Sequence, residues 1–161
     1  MMDFDAVYAA LAPKLTNYLV GSGSAYAEAC DIVQETFVKV WKRRDQLDDD
    51  ASRLSGFVFT VARNLRRDHL RKASREVLED EIRDAGSYEM DVESRDENAA
   101  LRRRLNAALS QLPPLIREAF TLFQLGELSV REIAEQTGVS ENNVKVRIFR
   151  AKERLREILK V

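Results

Sequence analysis

Apolar positions recur along this chain at spacings of three and four, never in a sustained alternation, and that period belongs to α-helices. Phe4, Val7, Tyr8, Leu11, Leu15, Tyr18 and Leu19 form the first stripe and predict a helix over about 3–20. Pro13 lies inside it, removes one backbone hydrogen bond and predicts a kink or a break nearby. Gly21-Ser22-Gly23-Ser24 ends that helix, after which Ala29, Ile32, Val33, Thr36, Phe37 and Val40 predict a second over about 25–42. Asp45 to Asp50 shows no period and reads as a loop. Leu54, Phe57, Val58, Val61, Ala62 and Leu65 then predict a third helix over about 53–75.

From residue 76 to 95 the stripe is lost, acids collect and Gly86-Ser87 appears, which marks a solvated linker and the domain boundary. Ser94 and Glu97 have the spacing of a capping box, predicting the start of a helix that carries Leu101, Leu105, Ala108, Leu109 and Leu112. Pro113-Pro114 resets the chain. One helix from Pro114 to Leu125 is expected to follow, burying Leu115, Ile116, Ala119, Phe120 and Phe123 and stopping at Gly126. The predicted fold is therefore all-α: two small helical domains, 1–75 and 96–161, joined by an acidic linker at 76–95.

Composition narrows the function by exclusion. Cys30 is the only cysteine and His69 the only histidine, so an internal disulfide and a Cys/His zinc cluster are ruled out, and no metal or cofactor is expected. Cys30 is expected to be a small buried hydrophobe. No apolar run is long enough to cross a bilayer and the N-terminus is acidic, so a cytoplasmic protein without membrane insertion is expected. A glycine-rich phosphate loop is missing and the acids crowd into the linker, so no enzyme is expected.

Charge adds more than its sum suggests. The net charge is −1, yet Arg53 to Arg75 holds seven Lys or Arg against one acid, and Glu76 to Glu97 holds ten acids against two bases. Ser129 to Val161 is basic again, eight to five. Fields act over a Debye length of roughly 8–10 Å, so two basic modules can each meet a nucleic acid despite the acidic segment between them.

Residues 129–155, SVREIAEQTGVSENNVKVRIFRAKERL, carry the most specific pattern, that of a helix-turn-helix. Ser129 and Glu132 form a capping box, Ala134 is small enough for a close helix crossing, Gly138 suits the left-handed turn and Ser140 caps the next helix. That helix places Val144, Ile148, Ala151, Leu155, Ile158 and Leu159 on one face. Asn142, Asn143, Val146, Arg147 and Arg150 lie across from it or beside it, where Arg suits guanine, Asn suits adenine and Val146 a thymine methyl. Lys145, Lys152 and Arg154 are placed to hold phosphates.

The N-terminal half offers two more surfaces. On the second helix Asp31, Gln34, Glu35, Val38 and Lys42 share the face opposite the core, with Trp41 at its edge, a composition suited to docking a protein. On the third, Phe59, Arg63, Arg66 and Leu70 are expected to face away from the apolar stripe, flanked by Asn64, Arg67 and Arg71. Apolar groups interleaved with cations suit an unstacked strand, although Phe59 packing against the first helix is the equal alternative.

With these motifs in place, the whole chain resembles the extracytoplasmic-function sigma factors. ACDIVQETFVKVW at 29–41 is similar to the family's grip on the polymerase clamp helices, FVFTVARNLRRDHLRK at 57–72 to its minus-ten helix, and LSQLPPLIREAF with the helix-turn-helix to its minus-thirty-five reader. The resemblance implies a transcription initiation factor that binds core RNA polymerase and promoter DNA, is monomeric outside complexes and answers to an anti-sigma factor. It implies polymerase docking by Asp31, Gln34, Glu35, Val38 and Trp41. Phe59, Arg63, Asn64, Arg66, Arg67 and Arg71 would meet the minus-ten strand, and Asn142, Asn143, Lys145, Val146, Arg147 and Arg150 the minus-thirty-five duplex. Phe57 stands where many members have Trp, Asn142-Asn143 where Gly-Thr is common, and the loop from Asp45 to Arg53, which captures a promoter base in the family, is acidic here. Two other classes compete: a stand-alone regulator, which requires a dimer and a palindromic operator, and a protein-only helical adaptor.

Overall fold

The computed structural model describes residues 2–47, 49–79 and 97–160. Among them stand seven α-helices and one π-helical turn, with no strand: α1 (Phe4–Gly21), α2 (Tyr26–Lys42), α3 (Ala51–Glu79), α4 (Glu97–Leu109), α5 (Pro114–Phe120), the π turn (Thr121–Leu125), α6 (Val130–Thr137) and α7 (Glu141–Leu159). Asp3 opens α1 by accepting a hydrogen bond from the Ala6 N–H at 3.2 Å.

The helix runs unbroken through Pro13, against the expected kink. Ala9, whose carbonyl loses its partner, and Pro13 itself both lie on the exposed flank, where water can take the missing donor's place. Helices α1, α2 and α3 pack on one another through Leu15, Leu19, Ile32, Val40 and Val58, all without exposed surface. Thr36 joins this core by turning its hydroxyl onto the Ile32 carbonyl at 2.7 Å.

Two boundaries differ from the sequence expectation. The third helix continues to Glu79, so the expected domain edge at residue 75 falls inside it. Residues 80–96, which hold most of the acidic linker and the Ser94 capping position, lie outside the described residues. The single helix expected from Pro114 to Leu125 divides into α5 and the π turn, where the Gly126 N–H reaches back five residues to the Thr121 carbonyl at 2.9 Å. The wider turn carries Leu122 fully into the core.

Leu115 is not buried as expected but 59% exposed. The inward face of α5 is set by Ala119 and Phe120, with Ile116 packed beside them, and a residue one position before Ile116 stands about 100° away around the helix. Leu101 of α4 is likewise exposed.

The two modules do not stand apart. One continuous core runs from Leu15, Ile32, Val58 and Phe59 into Ala119, Leu122, Leu128, Ile133, Val144 and Ile148. A second cluster, Ala108, Leu109, Leu112, Phe120, Ala151 and Leu155, ties α4, α5 and α7 together.

Candidate nucleic-acid and protein interfaces

The helix-turn-helix is built by local chemistry. Ser129 Oγ accepts from the Glu132 N–H at 3.1 Å while Glu132 Oε1 accepts from the Ser129 N–H at 2.7 Å, completing the capping box. Gly138 takes φ 74°, a left-handed conformation that a side chain would strain, and its N–H bonds to the Ala134 carbonyl at 2.9 Å. Ser140 Oγ then accepts from the Asn143 N–H at 3.1 Å and opens α7. Val144, Ile148, Ala151 and Leu155 are buried, so the opposite face of the 19-residue α7 is free.

On that free face Asn142, Asn143, Lys145, Val146 and Arg150 are exposed and Arg147 is half-buried. Lys145, Arg147 and Arg150 form no ion pair among the described residues, which leaves their charge available to an anion. Phe149, 59% exposed one residue before Arg150, belongs to this surface and was not singled out from sequence. Its signal is its place three residues after Val146, on the same side of the helix.

Helix α2 presents Asp31, Gln34, Glu35, Val38 and Trp41 outward. Val38 is 51% and Trp41 46% exposed, and the indole is held by the Phe4 ring against its edge at 5.0 Å and by the Arg44 guanidinium 3.8 Å from its centre. Glu35 faces the His69 imidazole at 3.3 Å, so α3 braces this patch from the side.

Helix α3 divides the residues expected to meet a melted strand. Asn64, Arg67 and Arg71 are exposed, with Arg67 donating to the Asn64 side-chain oxygen at 3.2 Å. Of the two placements open to Phe59 in the sequence, the structure takes the inward one against α1, and its expected part in the minus-ten surface does not hold. Phe59 has no exposed surface, meets the Tyr18 ring at 5.6 Å and lies beneath Gly126, where an added Cβ would come within 3.0 Å of the phenyl ring. Arg63 and Arg66 also turn inward. Arg66 donates to the Ser22 carbonyl at 2.6 Å, and Arg63 binds Glu118 and both oxygens of Gln136 on the C-terminal module. In this arrangement none of the three side chains can reach a base.

Between α2 and α3 runs a groove of about 380 Å³ whose rim carries Lys39, Lys42 and Arg43 and whose wall includes Phe57, Val61 and Asn64. The Arg43 guanidinium stands 6.0 Å from the Phe57 ring centre. An apolar wall under a cationic rim can take a flat, unstacked base while holding the adjoining phosphates. Lys39, Arg43 and the groove itself were missed in sequence because the rim and the wall come from different helices.

Tyr18 lies against Phe59 and beside Arg63, and burial, then the nearby Glu118 carboxylate, push its phenol above the ordinary value, with Arg63 and Arg66 opposing. Burial and the neighbouring Arg66 hold the Arg117 guanidinium below its usual value.

The family model described as sigma-70 region 2 matches residues 7–76, and that described as sigma-70, region 4 matches residues 102–155. The chain is 33% identical to the ECF RNA polymerase sigma factor RpoE of Cereibacter sphaeroides, over 96% of this chain and 84% of that protein. It is 29% identical to the ECF RNA polymerase sigma factor SigM of Bacillus subtilis, over 98% and 95%. Among solved structures, the sigma factor RpoE in complex with the anti-sigma factor NepR from Bartonella quintana aligns with a TM-score of 0.73 and 26% identity, covering 100% of this chain and 99% of that one. CnrH in complex with the cytosolic domain of CnrY aligns at 0.69 over 98% and 87%, a likeness of fold at 24% identity.

Proposed function

The chain belongs to the extracytoplasmic-function sigma factors, transcription initiation factors of RNA polymerase, and from that premise we propose how its surfaces divide the task. The exposed face of α2, with Asp31, Gln34, Glu35, Val38 and Trp41, docks core polymerase. Its half-exposed indole, fixed on two sides, is a rigid anchor of the kind that dominates protein interfaces. The outward face of α7 reads the minus-thirty-five duplex: Asn142, Asn143, Val146, Arg147 and Arg150 meet base edges while Lys145 holds a phosphate. Asn64, Arg67 and Arg71, together with the groove walled by Phe57, receive the minus-ten strand once it is unpaired.

Bond-making belongs to polymerase; this chain contributes binding and positioning. Its N-terminal module, through the end of α3, serves polymerase and the minus-ten element, and its C-terminal module, 96–161, serves the minus-thirty-five element. Control by an anti-sigma factor follows by analogy with the Bartonella quintana protein, which was solved with one. The observation that carries this reading is the cationic face of α7, unpaired among the described residues and set on a capped helix-turn-helix in the same chain as the α2 patch.

Transcription in vitro with core polymerase over a library of promoter fragments tests it. Arg147→Ala should weaken use of the preferred promoters by about 1–3 kcal/mol and relax the sequence preference, whereas Lys145→Ala should weaken all promoters alike and flatten the salt dependence. Strong promoter binding by the free chain, unchanged by core polymerase, would overturn it.

A further inference from the structure

The turn that ends α1 lies between two arginines from other helices. Arg66 of α3 donates from Nη2 to the Ser22 carbonyl at 2.6 Å, and Arg117 of α5 donates from Nε to the Gly21 carbonyl at 2.9 Å. Gly23 follows with φ 111°, and a Cβ built on it would stand 3.6 and 3.7 Å from the two terminal nitrogens of Arg117 and 3.8 Å from Arg66 Nη2. Three guanidinium nitrogens thus converge beside one backbone position that has no side chain of its own.

The charge gathered there is not balanced. Neither Arg66 nor Arg117 forms an ion pair among the described residues, and the nearby Glu118 carboxylate is taken by Arg63. The carbonyl end of α1 supplies about half a negative charge against two full positive ones. Burial first, and then Arg66, hold the Arg117 guanidinium below its usual value, as expected for two cations kept close together. Hydrogen bonding is incomplete as well. Ser24 is only 9% exposed, and its Oγ and Arg66 Nε are both buried without a partner among the described residues. Buried polar groups are normally satisfied by protein, water or an ion, so two orphans flanking one turn point to a ligand. Gly23 itself is exposed, which opens the turn to solvent.

We propose that Arg66, Arg117 and the Gly23-Ser24 turn bind a small phosphate-type dianion. Planar guanidinium forks match the oxygens of such a group, and the missing side chain at Gly23 lets it approach both of them. Two half-buried arginines at a single turn suit a small anion, whereas the repeated charge of a DNA backbone is met by the exposed rows on α3 and α7. The bound group is either free phosphate or the terminal phosphate of a nucleotide. This site does not depend on which surface meets promoter or polymerase.

Isothermal titration calorimetry of the full chain with inorganic phosphate, and in parallel with a nucleoside diphosphate, tests it, with ionic strength held constant by sodium chloride. Saturable binding of one anion per chain is expected. Arg66→Gln and Arg117→Gln should each weaken it roughly tenfold or more, the loss expected when a charge-assisted hydrogen bond is removed. Ser24→Ala, which keeps both charges, should weaken it by a smaller factor, and Arg150→Gln on the α7 face should leave it unchanged. Tighter binding of the diphosphate assigns the anion to a nucleotide, and tighter binding of phosphate assigns it to the free ion. Circular dichroism checks that each variant is folded. If Arg117→Gln is not, Arg117→Lys, which keeps the charge and loses the fork, should show a loss in the same direction. Binding that never saturates, that survives both arginine substitutions, or that falls equally in Arg150→Gln would overturn the proposal and leave only a general attraction of anions to a basic surface.

Discussion

Replacing Phe59 with alanine decides between two readings of one side chain. The sequence places Phe59 among arginines on a helix expected to meet a strand, whereas the folded chain encloses it completely, with its ring edge-on to Tyr18 at a centroid distance of 5.6 Å. Truncating a fully buried Phe costs about 3–5 kcal/mol, from lost burial and the cavity left behind. Losing the ring pair accounts for roughly 0.5–1.5 kcal/mol of that. For a chain of this size, such a loss lowers Tm by roughly 6–20 °C. Thermal and urea unfolding followed by circular dichroism measure it directly. A loss under about 1 kcal/mol, accompanied by a selective drop in single-strand binding, would refute the buried assignment and return Phe59 to the nucleic-acid surface.

Two further predictions concern stability. Ser129→Ala removes the hydroxyl that accepts from the Glu132 N–H, so it should cost about 1 kcal/mol in urea unfolding and weaken duplex binding by loosening α6 against α7. Burial above all raises the Tyr18 phenol over its ordinary value in the folded chain, so its contribution is complete below the ordinary phenol value and is lost as pH rises through the higher folded one. Tyr18→Phe should therefore flatten the alkaline limb of the stability curve, and an unchanged limb would rule out Tyr18 as its source.

What the sequence made legible is what local chemistry decides. Ser129, Gly138 and Ser140 are each set by backbone donors or dihedrals within a few residues, and each stands where the motif predicts it. The α2 stripe of Ala29, Ile32, Val33, Thr36, Phe37 and Val40 is buried for the same reason: a helix with one inner face leaves a periodic trace. That logic breaks on α3, which has two inner faces. Leu54, Val58, Ala62 and Leu65 turn to the N-terminal core, while Phe59 turns to Tyr18 and Gly126, and Arg63 to Glu118 and Gln136, 55 and 73 positions away in sequence. Nothing near Arg63 in the chain announces Glu118 or Gln136. The helix also outruns its apolar stripe as far as Glu79, because Lys, Arg and Glu are good helix formers without burial.

The arginines of α3 are thereby split by direction. Arg63 and Arg66 point at the helix termini and carboxylate of the closed core, and Arg67 and Arg71 point at solvent, although all four lie within nine positions of one helix. Only the outer pair is thereby available to the phosphates of a strand along α3 in the folded chain. Cation–phosphate contacts steepen the salt dependence of binding by about 0.7 per contact on a single strand. Arg71→Ala should therefore lower the salt slope of single-strand binding by about 0.7 while Arg66→Ala leaves it unchanged, and a slope that falls on removing Arg66 would mean that the inner pair meets the strand after all.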